Sequence, residues 1–302
     1  MFRASLKRAY WVLHAVLYKA IPFFPFIPKY VNGRRVKSGF VSTAHLQNPA
    51  LDDHLVEDLQ HAGIPVRPYR IDITGYAAYL RMAHYPRSYH GGSGSKTCSF
   101  LQKSLEHYVS ATLLQLSADD TFMDIASRRS PFYGIVREIW NPKTVYRQDL
   151  AFPKGIHGDT IGGTAGHLPL LDRSITKATL HCSLEHFEGD SDMELFREMS
   201  RVLAPGGLLC ILPFYIAQEY TIHTDPIYDL FFGRGLRFDP EAQIRYCSWN
   251  NRHSRHYDVE HLKRRILPNL NGLRMTVLRV ENFRDVHPDC YLRFIALFEK
   301  MT

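Results

Sequence analysis

Over residues 121–140, TFMDIASRRSPFYGIVREIW, an almost unbroken apolar run of Phe122, Met123, Ile125 and Ala126 gives way to a polar loop and then to a helical pattern. Continuous apolar residues suit a strand covered on both faces of a parallel sheet. Ser130 supplies an N-cap, and Pro131 a first helical residue whose missing N–H costs nothing there. The stretch predicts strand, loop and helix, with a helix N-terminus that favours negative charge. In isolation the same pattern equally describes a plain strand-to-helix turn without a ligand.

Downstream the period keeps switching. TVYRQDL (144–150) predicts a second strand ending on Asp149, and the Gly-rich passage 154–174 holds a short edge element. ITKATLHCSLEHF is a strand running into a loop, DMELFREMSRVL an amphipathic helix, and APGGLLCILPFY a turn feeding an apolar strand. Strand and helix in alternation imply right-handed βαβ units and a mostly parallel sheet. From 216 to 257 the pattern breaks down into an aromatic, Arg-rich insertion, then returns as a helix over 259–267 and strands over 273–283 and 290–300. Upstream, Leu6, Tyr10, Leu13, Leu17 and Ile21 recur at helical spacing, LDDHLVEDLQHAG is a helix stopped by Gly63 and Pro65, and SFLQKSLEHYVSATLLQL a longer helix. A Tyr-rich segment and a Gly/Ser run separate the last two.

Composition changes this picture in one place. The formal charge of +7 sits in residues 1–51, which carry eight basic side chains and no Asp or Glu; the remainder has 29 basic against 30 acidic residues. A basic amphipathic helix followed by PFFPFIP suits an anionic membrane surface, and equally a terminal helix packed on its own domain. Even charge outside the arm speaks against nucleic acid as a partner. The apolar run 11–27, broken by His14, Lys19, Pro22 and Pro25, makes neither a signal peptide nor a spanning helix. Five scattered cysteines without a C-x-x-C pair suggest no disulfide framework and no metal site, and fit a reducing, cytoplasmic compartment.

Over 180–215, LHCSLEHFEGDSDMELFREMSRVLAPGGLLCILPFY, the chain resembles the class I, Rossmann-like S-adenosylmethionine-dependent methyltransferases, and the resemblance runs from about 122 to 300. It implies a mostly parallel seven-stranded sheet with helices on both faces, a helical N-terminal extension, and an insertion after the fifth strand. The chain then divides into a basic arm (1–37), a helical, Tyr-rich cap (38–119) and a methyltransferase-like domain (120–302) whose insertion (216–257) builds the acceptor side. S-adenosylmethionine is the implied cofactor, with Asp124, Ala126, Ser127 and Arg128 along its methionine part. Asp149 takes the ribose hydroxyls, Thr164 and Ala165 address the adenine, and His181 and Cys182 line the reacting methyl group. The usual glycines of the first loop are replaced at Ala126, Arg128 and Ser130; Arg128 or Arg129 beside a helix N-terminus suits the cofactor's carboxylate.

Within this frame His181 is the general-base candidate, because imidazole titrates near physiological pH; a histidine held at a strand end is the plainer alternative. Glu185 and His186 are expected to brace the loop, and Tyr76, Tyr79 and Lys103 to form a lid. In the insertion, His223, Arg234, Arg237, Tyr246 and Trp249 suit a sugar or aromatic ring and an anionic group, or a subunit contact, while His253, His256 and His261 read as a solvated face. The expected activity is methyl transfer to an oxygen of a glycan, a nucleotide-linked sugar or another small acceptor, at the inner face of a membrane. The competing expectation is a non-catalytic scaffold on a decayed methyltransferase fold.

Overall fold

The structure is a computed structural model; it describes residues 9–10, 12–14, 16–17, 30–31, 34–35, 49–87, 89, 95–225, 235–247 and 251–302. Most of the arm, the Gly/Ser run, Arg234 and Trp249 therefore lie outside the described residues.

In chain order the main elements are α1 (Pro49–His61), β1 (Val66–Tyr69), α2 (Ile73–Met82), α3 (Ser95–Leu114), β2 (Thr121–Ile125) and α4 (Phe132–Ile139). Then come β3 (Thr144–His157), β4 (Thr160–Gly162), β5 (Ile175–His181), α5 (Ser191–Val202), β6 (Leu203–Leu212), β7 (Thr221–Thr224), β8 (Gln243–Tyr246), β9 (Ser254–His256), β10 (Leu273–Val280) and β11 (Phe294–Lys300). Eight strands form one sheet in the order β1-β10-β11-β6-β5-β2-β3-β4. Only β11 runs antiparallel to its neighbours in it. The seven expected strands are joined by β1, VRPY, from the cap segment; its proline suits the sheet edge it occupies, where one side of the backbone needs no partner.

β2 and β5 lie at the centre of the sheet, where apolar side chains are covered from both faces: Phe122, Met123, Ile125, Ala178 and Leu180 are at most 1 % exposed. One face packs against α5 through Leu195, Phe196 and Met199, and the other against α3 through Leu105, Val109 and Leu114. Arg173, Leu168 and Leu170 are tied to α5 by Arg201 and Glu198, which fixes the loop after β4.

The insertion is not irregular: β7, β8 and β9 form a second sheet in the order β8-β7-β9. Arg255 of β9, fully buried, bonds Asp239 at 2.8 Å and Asp192 of α5 at 3.0 Å, and donates to the carbonyls of Phe187 and Gly189. This network anchors the insertion to the turn after β5. It also corrects two expectations. Tyr246, 1 % exposed, is core rather than a stacking surface, and His253, 1 % exposed, lies inside rather than on a solvated face. The sequence around them looks hydrophilic because its charges are paired internally. Expected as one helix over 259–267, this stretch is wound as short turns, Val259–His261, Leu262–Ile266 and Leu267–Asn269, with Leu262–Ile266 a π-turn.

Candidate active site

The strand order reverses between β2 and β5: the chain steps outward from β2 to β3 and β4, then returns to β5 on the other side. In open parallel sheets the crevice beyond the carboxyl ends of such a pair is where ligands bind. The loop leaving β2 forms one wall. Ala126 adopts φ +55°, the left-handed conformation that glycine occupies at no steric cost, so a glycine-type turn survives with a methyl group on it. Its N–H meets Gln148 Oε1 at 3.2 Å, and Ser127 N–H donates to the Gln148 carbonyl at 2.9 Å. The helix α4 starts one residue later than expected, at Phe132, so Pro131 rather than Ser130 takes the N-cap position, and Ser130 Oγ accepts from Phe132 N–H at 3.2 Å from just outside it.

Asp149, expected to end its strand, lies within β3, which runs on past a bulge to His157, and it stands beside this loop. Its carboxylate accepts from Arg128 N–H at 3.1 Å and Ala151 N–H at 2.8 Å, which leaves lone pairs open toward the crevice from a half-buried side chain. The Arg128 and Arg129 side chains are exposed and make no ion pair among the described residues. Gly163, at φ +127°, and exposed Thr164 close the far end, with Ala165 buried behind them.

Across the crevice, His181 ends β5. Its Nε2 lies 2.9 Å from Ser110 Oγ of α3, and its Nδ1 3.5 Å from Asp124 Oδ1 of β2. Asp124 Oδ1 also accepts from Thr179 at 3.1 Å. Asp124 Oδ2 and His181 Nδ1 are buried without a hydrogen-bond partner. The His181 side chain is 6 % exposed, so the ring ties strand, loop and helix together.

The next residue, Cys182, takes φ +43° and turns its thiol toward α3. There Lys103 Nζ contacts Cys182 Sγ and lies 3.4 Å from Glu106; both Glu106 oxygens lie 3.3 Å from the thiol, and Gln102 donates to Glu106 at 2.8 Å. Lys103 is thus part of the site, whereas Tyr76 and Tyr79, expected beside it in a lid, are interior: Tyr76 bonds Ser104 at 2.7 Å and Tyr79 bonds Tyr85 at 2.8 Å. Burial pushes the Tyr76 hydroxyl up to about 12, so it stays neutral. Glu185 follows in a 3₁₀ turn, Leu184–His186, 5 % exposed, with Oε2 unpartnered and Oε1 3.7 Å from His186 Nε2. Burial raises its carboxyl above the usual range, against the pull of His186. His253 donates to the Glu185 carbonyl at 3.1 Å and so holds the turn from the insertion side.

Gln102, Glu106 and Ser110 are the polar groups that reading by motif misses. Spaced four residues apart on α3 and all fully buried, they form a polar stripe on a face that otherwise packs apolar. That spacing is visible in the sequence, and a buried polar stripe is stable only when it is paired.

This crevice lies where a Rossmann-like, mostly parallel sheet places its ligand. Residues 90–211 match the family described as methyltransferase domain. That match covers 122 of the 302 residues, and S-adenosylmethionine is the cofactor it implies. No curated protein matches the sequence. Among solved structures, the YcgJ protein from Bacillus subtilis is 18 % identical, covering 57 % of this chain and 69 % of its own, with a TM-score of 0.38. A methyltransferase from Mesorhizobium loti is 16 % identical over 64 % of this chain and 97 % of its own, TM-score 0.40. Geranyl diphosphate C-methyltransferase from Streptomyces coelicolor, solved with Mg2+, geranyl diphosphate and S-adenosyl-L-homocysteine, is 13 % identical over 76 % of this chain and 97 % of its own, TM-score 0.38.

The residues present fit the cofactor. A buried carboxylate oxygen without a partner, Asp124 Oδ2, suits its ammonium, the unpaired Arg128 and Arg129 suit its carboxylate, and the open lone pairs of Asp149 suit the ribose hydroxyls.

Proposed function

We propose that the chain transfers a methyl group from S-adenosylmethionine to an oxygen of a small acceptor such as a glycan or a nucleotide-linked sugar. The observation that supports the reading is the buried Asp124 Oδ2, which has no hydrogen-bond partner and lies at the switch point of the matched domain. A buried carboxylate oxygen left without a partner costs about 1–3 kcal/mol, and the ammonium of the cofactor would satisfy it. When bound, the cofactor supplies an electrophilic methyl group. Asp124, Asp149 and the loop arginines hold it in place. His181, bonded to Ser110 and facing Asp124, sets the turn after β5 and is a positioning residue.

Incubating the chain with methyl-tritiated S-adenosylmethionine and a small-molecule and glycan extract tests this. Label recovered as iodomethane after hydriodic acid marks an O-methyl ether, and the yield is expected to fall at least tenfold in His181→Ala with affinity for S-adenosylhomocysteine unchanged. Label only in carbon-bound methyl contradicts O-methylation.

The arm is proposed to meet an anionic membrane surface. Val12, Leu13 and Val16 are 50–60 % exposed on a helical segment whose other side buries His14 against Asp225 at 2.5 Å. Among the described residues no helix is long and apolar enough to cross a membrane.

A further inference from the structure

Between α3, the turn after β5 and the loops flanking β6 and β11 lies a second cluster: Lys103, Glu106, Cys182, Glu185, Tyr215 and Tyr291. Lys103, Cys182, Tyr215 and Tyr291 keep part of their surface open although protein surrounds them closely, as residues lining a cleft do. Glu106 is fully engaged by Gln102, Lys103 and Cys182. Glu185 is not: its Oε2 is buried and unpartnered. Lys103 has three donors, of which Glu106 and Cys182 take two.

Resting on the methyltransferase reading, we propose that this cluster is the acceptor site and that the acceptor is an uncharged alcohol or phenol whose hydroxyl donates to Glu185 and accepts from Lys103. The charges select it. Two carboxylates against one ammonium repel a carboxylate or phosphate at the reacting atom, and Lys103 repels an ammonium. A neutral hydroxyl satisfies the lone acceptor and the spare donor together. Tyr215 and Tyr291, whose hydroxyls burial keeps neutral, add no charge and offer ring surface to the rest of the acceptor. The chemistry balances without another reactant: the hydroxyl proton passes to the Glu185 carboxylate as the oxygen bonds the methyl carbon, and the electron pair of the broken carbon–sulfur bond stays on sulfur. A carboxylate held above its usual range by burial is a stronger base for that step than an exposed one. His181, buried between Ser110 and Asp124, is not placed to take the proton.

Among the cysteines whose side chains are described, Cys182 alone is partly exposed, Cys210, Cys247 and Cys290 being buried, and peptide mapping resolves its label from that of Cys98. With the full chain saturated by S-adenosylhomocysteine, alkylation of Cys182 by iodoacetamide is followed by mass spectrometry in the presence of 4-nitrophenyl glucoside, 4-nitrophenyl phosphate or 4-nitrobenzylamine. The glucoside is expected to slow alkylation at least fivefold and the two charged probes less than twofold, with protection lost in Glu185→Leu. In the extract assay, Glu185→Gln is expected to lower O-methyl label at least 100-fold while S-adenosylhomocysteine binds within twofold of the parent. Protection by a charged probe instead, no protection by the glucoside, or unchanged transfer in Glu185→Gln overturns the proposal. Absence of S-adenosylhomocysteine binding in the parent chain overturns the methyltransferase reading itself.

Discussion

His253 makes the stability of this protein depend on pH in a way that can be worked out in advance. Its ring is 1 % exposed, Nδ1 donates to the Glu185 carbonyl at 3.1 Å, and Nε2 is buried without a partner. Burial, and then the nearby Arg255 guanidinium, lower its pKa from 6.5 to about 4. The folded state thus keeps the ring neutral where the unfolded chain protonates it. The unfolded state binds more protons, so stability is full above pH 6.5 and is lost as pH falls toward 4. Linkage puts the loss attributable to this one group at about 2 kcal/mol between pH 7 and pH 5. Asn at this position keeps an N–H near Nδ1 and removes the titration. Urea unfolding of parent and His253→Asn at both pH values measures the difference, which is expected to shrink by about 2 kcal/mol at pH 5. A parent and variant that lose stability in parallel would refute the reasoning.

Other perturbations follow from the same geometry. Arg255→Met leaves Asp239 and Asp192 buried with less compensation; because Arg265 still pairs Asp192 at 2.7 Å, the expected loss is at the lower end of about 3–5 kcal/mol, and a loss below about 1 kcal/mol by urea titration contradicts it. Ala126→Gly relieves a left-handed alanine worth about 1–2 kcal/mol, against about 0.5–1 kcal/mol of added chain entropy, so the melting temperature is expected to rise slightly. A fall would mean that the loop is held in some other way. Deleting residues 1–37 is expected to abolish co-sedimentation with phosphatidylserine vesicles; equal partition of the full and shortened chains refutes the membrane contact.

The central strands were legible because burial on both faces leaves an unambiguous apolar run, as in β2 and β5. Two of the loop residues were legible too, since Ser130 and His181 sit next to helix and strand ends that follow from the pattern, whereas Asp149 lies inside β3, which continues past a bulge to His157. The insertion was not. Its strands are three or four residues long, pair across distant sequence, and bury Arg255 and His253, residue types that normally mark solvent. The edge strand β1 carries Arg67 and Pro68, which hide it from an apolar-alternation test. In the site, Lys103 was found for the wrong neighbours. Glu106 and Ser110 were missed because a helix reads by its apolar face, and here the polar residues on that face bond Lys103, Cys182 and His181. Glu185, read as a brace, has no partner for one oxygen, which only the packing around it reveals.

The central claim, that this crevice holds S-adenosylmethionine despite its altered first loop, is tested most directly by isothermal titration of the full chain with S-adenosylhomocysteine, beside Asp149→Ala. One-to-one binding in the parent, weakened at least tenfold in the variant, is the predicted result. No heat of binding at millimolar ligand would contradict it.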